Sequence, residues 1–268
     1  MENNLKNEFE KLLTELSENS SQAHALEILA EKFPGKLIFS TSFSYEDQVI
    51  THLIKNLDIE IFTLDTGRLF EQTYETWMNT KAFFKKNIKA YYPDTEEIKE
   101  FVTQNGPDSF YQSVEQRKAC CTIRKVHPLK KALQGYKVWI TGLRSEHSAN
   151  RQNMPQLEWD PDNQIIKYHP LLHWTSEQVT DYVQTHHLPY NQLHKKGFVS
   201  IGCAPCTRAI KEGEDFRAGR WWWEDANKKS AVCIFINKKD KNVNTSIKLF
   251  RSAGSRVYLY IKRSRRTV

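Results

Sequence analysis

The sequence predicts an α/β domain built on a mostly parallel sheet with helices on both faces. Three observations carry this. Short apolar runs recur between residues 36 and 169, separated by stretches of helical periodicity, the alternation that produces parallel strands. Three polar segments, 40–47, 65–68 and 144–151, follow such runs, at the strand end where ligands bind in sheets of this kind. The chain's 268 residues suffice for one large domain or two small ones. We assign 1–228 to a single domain whose last part is irregular, and 229–268 to a basic tail.

Residues 5–32 place Leu5, Phe9, Leu12, Leu13, Leu16, Ala23, Leu26 and Leu29 at helical spacing, and Pro34-Gly35 ends that unit. Residues 36–40 (Lys-Leu-Ile-Phe-Ser) read as a buried strand, with a polar turn and a helix to about Leu57 after it. Residues 60–64 (Glu-Ile-Phe-Thr-Leu) form a second strand, then a helix from about Phe70 to Phe84. A third strand covers 88–92, with an acidic helix from about Thr95. A fourth covers 137–141 and a fifth 165–169. Thr175 is the N-cap of a helix over 175–187, with Glu177 and Gln178 in its first turn. Gly, Pro, Trp and Arg dominate 188–228, which reads as an irregular, site-forming segment.

The net charge of +7 invites a nucleic-acid reading, but its distribution argues against one. From Lys229 onward eleven Lys or Arg accompany one acid, Asp240, a net +10, and residues 1–228 carry −3. The first residues are polar and show no signal peptide, and no apolar run approaches a membrane span. These features predict the cytoplasm, where thiols stay reduced, so paired cysteines there point to metal or redox chemistry.

Four of the five cysteines come in two pairs, Cys120-Cys121 and Cys203-x-x-Cys206. The second is a loop spacing that lets two thiolates reach one metal centre. Adjacent cysteines fit a single zinc poorly, whereas a cubane cluster offers each its own iron. Zinc and ordinary buried thiols are the rival readings. Ser40, Thr41, Ser42 and Ser44 lie between strand and helix, where hydroxyls and N–H groups make an anion site. N-capping by Ser42 or Ser44 is the alternative, and the Lys of the usual phosphate-binding loop is absent. Arg124, Lys125, Arg144, Arg151, Arg208, Arg217 and Arg220 are scattered beside turns and cysteines, suiting phosphate or sulfate oxygens. His147, His169, His173 and His194 carry no assignment, and His194 reads as structural.

On these residues the sequence resembles the assimilatory sulfonucleotide reductases, and among them the bacterial adenylyl-sulfate (APS) reductases that carry a [4Fe-4S] cluster. The matching stretches are 40–47, 64–69, Arg117-Lys118 with Cys120-Cys121 and 124–126, and 142–144 with Ser148 and Arg151. Pro170-Leu171, 189–194, 200–208 and 217–224 continue the match, which spans about 24 to 228. The resemblance implies a Rossmann-like fold of the adenine-nucleotide α-hydrolase kind. It implies one [4Fe-4S] cluster on Cys120, Cys121, Cys203 and Cys206, and thioredoxin-dependent reduction of APS to sulfite and AMP. Ser40, Ser42 and Ser44 would then hold the nucleotide phosphate, and Leu64, Asp65 and Gly67 the adenosine. Lys125, Arg144, Arg151, Arg217 and Arg220 would surround the phosphosulfate. An ATP-pyrophosphatase-like or tRNA-thiolating enzyme shares the fold, but its Ser-Gly-Gly-x-Asp loop differs from 40–47. Self-association is left open.

The tail departs from the family. Its nucleophile lies in a Lys-Glu-Cys-Gly-Leu-His motif after the Trp-Trp-Trp-Glu stretch, but here 229–235 read Lys-Ser-Ala-Val-Cys-Ile-Phe. Inserting one A into codons for the family motif yields Lys-Lys-Ser-Ala-Val-Cys-Ile, which is what stands at 228–234. A frameshift near Lys228–Lys229 therefore explains both the lost motif and the basic tail. Cys233 as a displaced nucleophile is the competing expectation, and a catalytically dead, basic-tailed APS-binding protein is the third.

Overall fold

The computed structural model describes residues 2–16, 21–147 and 153–224. All lie in the first of the two units into which the chain divides, Met1–Phe235. The tail 229–268, with Cys233, lies outside the described residues, as do Ser148 and Arg151.

Six strands form one sheet: β1 (Leu37–Ser40), β2 (Glu60–Leu64), β3 (Ile88–Tyr91), β4 (Val138–Ile140), β5 (Leu157–Asp160) and β6 (Ile165–Tyr168). Their order is β3-β2-β1-β4-β6-β5. Every pairing is parallel except β5 with β6. The described helices are α1 (Glu2–Glu15), α2 (Gln22–Lys32), α3 (Tyr45–Leu53), α4 (Glu71–Phe84), α5 (Thr95–Asn105), α6 (Val114–Cys121), α7 (His127–Leu133) and α8 (Ser176–Thr185).

Strand side chains alternate between two cores, as the period-two backbone requires. Leu37, Phe39, Ile61 and Ile140 pack with Leu26, Leu29, Val49 and Val183 from α2, α3 and α8. Ile38, Phe62 and Trp139 pack on the opposite face with Leu129, Ala132 and Leu133 of α7. Burial on both faces explains why these strands read as continuous apolar runs. Each fully buried Leu or Ile contributes about 1.5–3 kcal/mol of hydrophobic stabilisation.

The mostly parallel sheet with helices on both faces is as the sequence predicts, with two differences. The run 5–32 is split into α1 and α2, and Ser21 caps the second by accepting from the His24 N–H. The strand at 165–168 is the sixth, because β5 precedes it as an antiparallel partner. The turn between them is an Asp-Pro-Asp-Asn signal in which Asp160 Oδ1 accepts from the Asp162 and Asn163 N–H groups. That hairpin was recognisable, but four alternating residues after Pro155 are too short to stand out. Thr175 caps α8 in a full capping box with Gln178. Among the described residues no helix is long and apolar enough to cross a membrane.

Candidate active site

Winding outward from β1 goes one way to β2 and β3 and the other way to β4. The winding therefore reverses between β1 and β4, where loops diverge and leave a crevice. A cleft of about 280 Å³ opens there. Its floor is the β1–α3 turn, the end of β2 and residues 141–143 after β4, and residues 199–202, 216, 217, 220 and 221 from the irregular segment form its far wall.

Of the residues expected to bind substrate, Ser40, Ser42, Ser44, Leu64, Lys125, Arg217 and Arg220 line this cleft. The turn is more closed than its sequence suggests. Asp47 Oδ2 accepts from the Ser42 N–H at 2.6 Å, the Ser42 hydroxyl at 2.8 Å and the Ser44 N–H at 3.4 Å. Ser44 returns the contact by capping α3, accepting from the Asp47 N–H at 3.3 Å. The backbone donors offered to an anion are thus turned onto a carboxylate of the same turn. Ser44 is the helix cap and also lines the cleft. A Cβ on Gly142 would overlap Asp47 Oδ1, so only glycine lets the β4 loop close over this turn.

Three expected residues sit elsewhere. Arg144 is 2 % exposed and turned away from the cleft. Its Nε donates to Glu46 at 2.8 Å, Nη1 to Glu146 at 2.6 Å and to the Trp174 carbonyl at 3.0 Å, and Nη2 to Ser176 at 2.8 Å. Arg144, expected beside the phosphosulfate, is not among the cleft-lining residues; its guanidinium ties α3 to the start of α8. Asp65 and Gly67 do not line the cleft either. Asp65 Oδ1 accepts from the Gly67 N–H and the Tyr74 hydroxyl. Gly67 has φ 68, the left-handed region, which lets this loop turn toward the cysteines. Arg151 and Cys233 lie outside the described residues.

The four paired cysteines meet. Cys120, Cys121, Cys203 and Cys206 line a second, small cavity of about 20 Å³ together with Arg68, Arg117, Arg124 and Lys125. A feature not read from sequence builds it. Between α6 and α7 the helix widens into a π-helical segment, Thr122–Val126, directly after the tandem cysteines. Such an extra residue in the turn re-aims side chains. Here Arg124 and Lys125 face the cavity on which Cys120 and Cys121 converge. The facing loop is held by the Ala204 N–H donating to the Arg68 carbonyl and by Thr66 Oγ1, 3.2 Å from Cys203 Sγ. Arg124 Nη1 donates to the Thr66 carbonyl at 2.6 Å, and its buried Nε finds no acceptor among the described residues.

Burial and the neighbouring Cys203 push the Cys206 thiol up to about 12, while Lys125 and Arg220 pull the other way. Burial likewise raises Cys120, opposed chiefly by Arg124. Thiols in this state need an electrophilic partner to become thiolates. Among the described residues no three His, Cys, Asp or Glu side chains converge as ligands of one metal ion. Lys125 lines both cavities and joins the cysteines to the cleft.

Sequence reasoning missed Thr141 and Trp221 as cleft residues, and Thr41, read there as part of the anion-binding turn, lines the cleft too. His194 also lines the cleft. Its ring stacks on Tyr45 at 4.3 Å, Nδ1 lies 2.8 Å from the Phe198 carbonyl, and burial lowers its pKa, so it packs as a neutral ring.

Similarity to known proteins falls on this architecture. The phosphoadenosine phosphosulfate reductase domain matches residues 36–209, which hold the sheet and both cysteine pairs. An adenosine 5'-phosphosulfate reductase of Allochromatium vinosum is 45 % identical over 212 residues, 78 % of this chain and 83 % of that one. One from Sinorhizobium fredii (strain USDA 257) is 48 % identical over 197 residues, 73 % of this chain and 78 % of that one. Among solved structures, a phosphoadenylyl-sulfate reductase of Candida auris in its phosphate complex superposes with TM-score 0.63 at 26 % identity, covering 77 % of this chain and 96 % of that one. A cleft at the sheet's switch point, a paired-cysteine cavity beside it and this degree of identity agree, and the chain belongs to the APS/PAPS reductase family.

Proposed function

We propose that this chain binds adenosine 5'-phosphosulfate in the switch-point cleft and belongs to its reduction to sulfite and AMP in sulfate assimilation. The observation that carries this reading is Lys125, the residue shared by the cleft and the cysteine cavity. A cation there neutralises the sulfate oxygens of a nucleotide whose phosphate rests against Ser40 and the Arg217–Arg220 wall. Cys120, Cys121, Cys203 and Cys206 line one cavity among Arg68, Arg124 and Lys125 and would hold a [4Fe-4S] cluster, since adjacent cysteines suit two irons better than one ion. Such a cluster supplies fixed charge beside the sulfate group.

The chemistry is a two-step sulfur transfer. A cysteine thiolate attacks the sulfur of the phosphosulfate, an S–S bond forms, and the S–O bond to AMP breaks with the electron pair leaving on the phosphate oxygen. Reduced thioredoxin, a dithiol, then attacks the enzyme sulfur. Sulfite departs, the resulting mixed disulfide is resolved by the second thioredoxin thiol, and thioredoxin ends oxidised. Arg217, Arg220 and Lys125 stabilise the charge growing on the departing phosphate and sulfite oxygens. The attacking thiol comes from none of the four paired cysteines. In this chain only Cys233 is left, outside the family motif, so the chain as written is expected to bind APS while releasing little sulfite. A frameshift at 228–229 accounts for this, and a dead APS-binding protein is the second reading it favours.

Anaerobic purification followed by an iron count tests the cofactor: about four irons per chain are expected, lost in Cys203→Ser. Fewer than one iron per chain in the wild type, with zinc in its place, would refute it. Sulfite release is then compared between this chain and one with the tail restored to Lys-Glu-Cys-Gly-Leu-His. Restoration is expected to raise thioredoxin-dependent turnover of APS at least about 100-fold, with APS preferred to its 3'-phosphorylated analogue, because a nucleophile is supplied. Full turnover of the unaltered chain that Cys233→Ser abolishes would establish the displaced nucleophile instead.

A further inference from the structure

Two hydroxyls on the cleft wall have their hydrogen-bonding direction set from behind. Ser40 Oγ accepts from Trp139 Nε1 at 2.9 Å. An indole N–H only donates, so the Ser40 proton remains to donate into the cleft, as suits a phosphate oxygen. Thr141, on the neighbouring strand end, stands in the opposite situation. Its Oγ1 is 2.7 Å from Nδ1 of His169, and His169 Nε2 is 3.6 Å from Oε1 of Glu158. His169 is wholly buried and Thr141 only 4 % exposed, whereas Glu158 reaches the surface. Hydroxyl, imidazole and carboxylate thus run in a line from the cleft, beside the sheet, to solvent.

The direction of this relay follows from its far end. Lys167 Nζ lies 3.4 Å from the same Glu158 oxygen and 2.9 Å from Asp160 Oδ2. Burial works to raise the Glu158 pKa, but His169 and Lys167 outweigh it and hold the carboxyl below its usual range. Glu158 Oε1, at 3.6 Å, is beyond hydrogen-bond distance of Nε2, but its negative charge favours the proton on the ring nitrogen facing it. In the neutral ring that carries its proton on Nε2, Nδ1 is an acceptor, Thr141 donates to it, and the Thr141 lone pairs face the cleft.

We propose that Thr141, oriented by the Glu158–His169 pair, is a specificity-determining residue that accepts a hydrogen bond from the bound nucleoside, either from the adenine amino group or from a ribose hydroxyl. The neighbouring Ser40 and Thr141 hydroxyls would then present opposite polarities, one matched to phosphate and one to a donor. This rests on the reading of the cleft as a nucleotide site.

The test is calorimetric titration of the full chain with AMP, IMP, 2'-deoxy-AMP and 3'-deoxy-AMP. IMP replaces the amino donor by a carbonyl acceptor, and each deoxynucleotide removes one hydroxyl donor. The wild type is expected to prefer AMP over one of the three by about tenfold, the cost of a mismatched or missing hydrogen bond. In Thr141→Val that preference falls to about twofold or less, and Thr141→Ser keeps it. Loss on the IMP arm assigns the amino group, and loss on a deoxy arm the ribose hydroxyl. Glu158→Gln, on a half-exposed side chain, can turn its amide N–H toward the ring and reverse the relay, and is expected to erode the same preference. Unchanged ligand ratios in Thr141→Val and Glu158→Gln, even with lowered melting temperatures, would make the trio a packing feature and overturn the proposal. Absence of binding by all four nucleotides to the wild type is a separate result, which removes the nucleotide reading and this inference with it.

Discussion

Glu224→Ala is expected to lower stability by about 3–5 kcal/mol, the usual cost of leaving one partner of a buried ion pair alone. Arg117 is wholly buried in α6, and Glu224 is 3 % exposed at the end of the Trp-Trp-Trp-Glu stretch. The pair is bidentate, with Nε to Oε1 and Nη2 to Oε2 both 2.9 Å. The guanidinium also lies over the Trp221 ring, 4.4 Å from its centroid. Arg117 lines the cysteine cavity three residues before Cys120, so the contact fastens the end of the irregular segment to the helix of the tandem cysteines. Around it the Trp221 N–H donates to the Cys206 carbonyl and the Arg208 N–H to that of Gly219. Urea titration measures the loss. At a slope of about 1–3 kcal/mol/M the midpoint should fall by more than about 1 M. The double variant Arg117→Met with Glu224→Leu should recover much of the loss, because neither charge then stays buried. A Glu224→Ala midpoint within about 0.2 M of wild type would show that the pair is dispensable.

Asp47→Asn is expected to stabilise the protein at pH 7, by about 2–3 kcal/mol, and to have no such effect at pH 4. Burial is the chief cause that raises the Asp47 carboxyl to about 6. Hydrogen bonds from Ser42 and Ser44 oppose it, and Glu46 adds to it. The folded-state pKa thus lies above the unfolded one. Stability from this group is fully present below about pH 4 and is lost as pH rises through 6, because the charged form is then confined where water cannot reach it. Asn keeps one carbonyl oxygen for the Ser42 and Ser44 donors and carries no charge. Other carboxyls act in the reverse sense: Glu146, Glu158 and Asp160 are held below their usual values, burial notwithstanding, by hydrogen bonds and neighbouring cations. Their contributions are lost as pH falls, so the informative quantity is the difference between variant and wild type at each pH. A difference that stays constant from pH 4 to 7 would remove Asp47 as its source.

Local pattern made much of the fold legible. The apolar runs at 37–40, 60–64 and 138–140 are strands because both their faces are buried, and such strands show as unbroken hydrophobic stretches. Thr175 and Gln178 announced a helix start because a capping box spans three residues. The β5–β6 hairpin was missed because four residues carry too little periodicity. At the site, the cysteine pairs were legible from spacing and thiol chemistry. The π-helical segment that aims Arg124 and Lys125 was not, since it depends on how α6 and α7 pack.

Cations were the least legible residues. Arg144, Arg217 and Arg220 look alike in sequence, yet Arg217 and Arg220 line the cleft while Arg144 is bound to Glu46, 98 residues away. Arg117 meets Glu224 across 107 residues, and nothing local in either segment announces the other. The sequence by itself determined the strand–helix alternation, the two cysteine pairs and the charge break at the tail, because periodicity, side-chain chemistry and composition are local properties. Only the tertiary structure decided which arginine lines the cleft, that Asp47 occupies the turn beside it, and that Thr141, His169 and Glu158 come together. Ion-pair partners and hydrogen-bond directions are set by which surfaces meet when the sheet and helices pack, and that meeting is encoded in the whole chain.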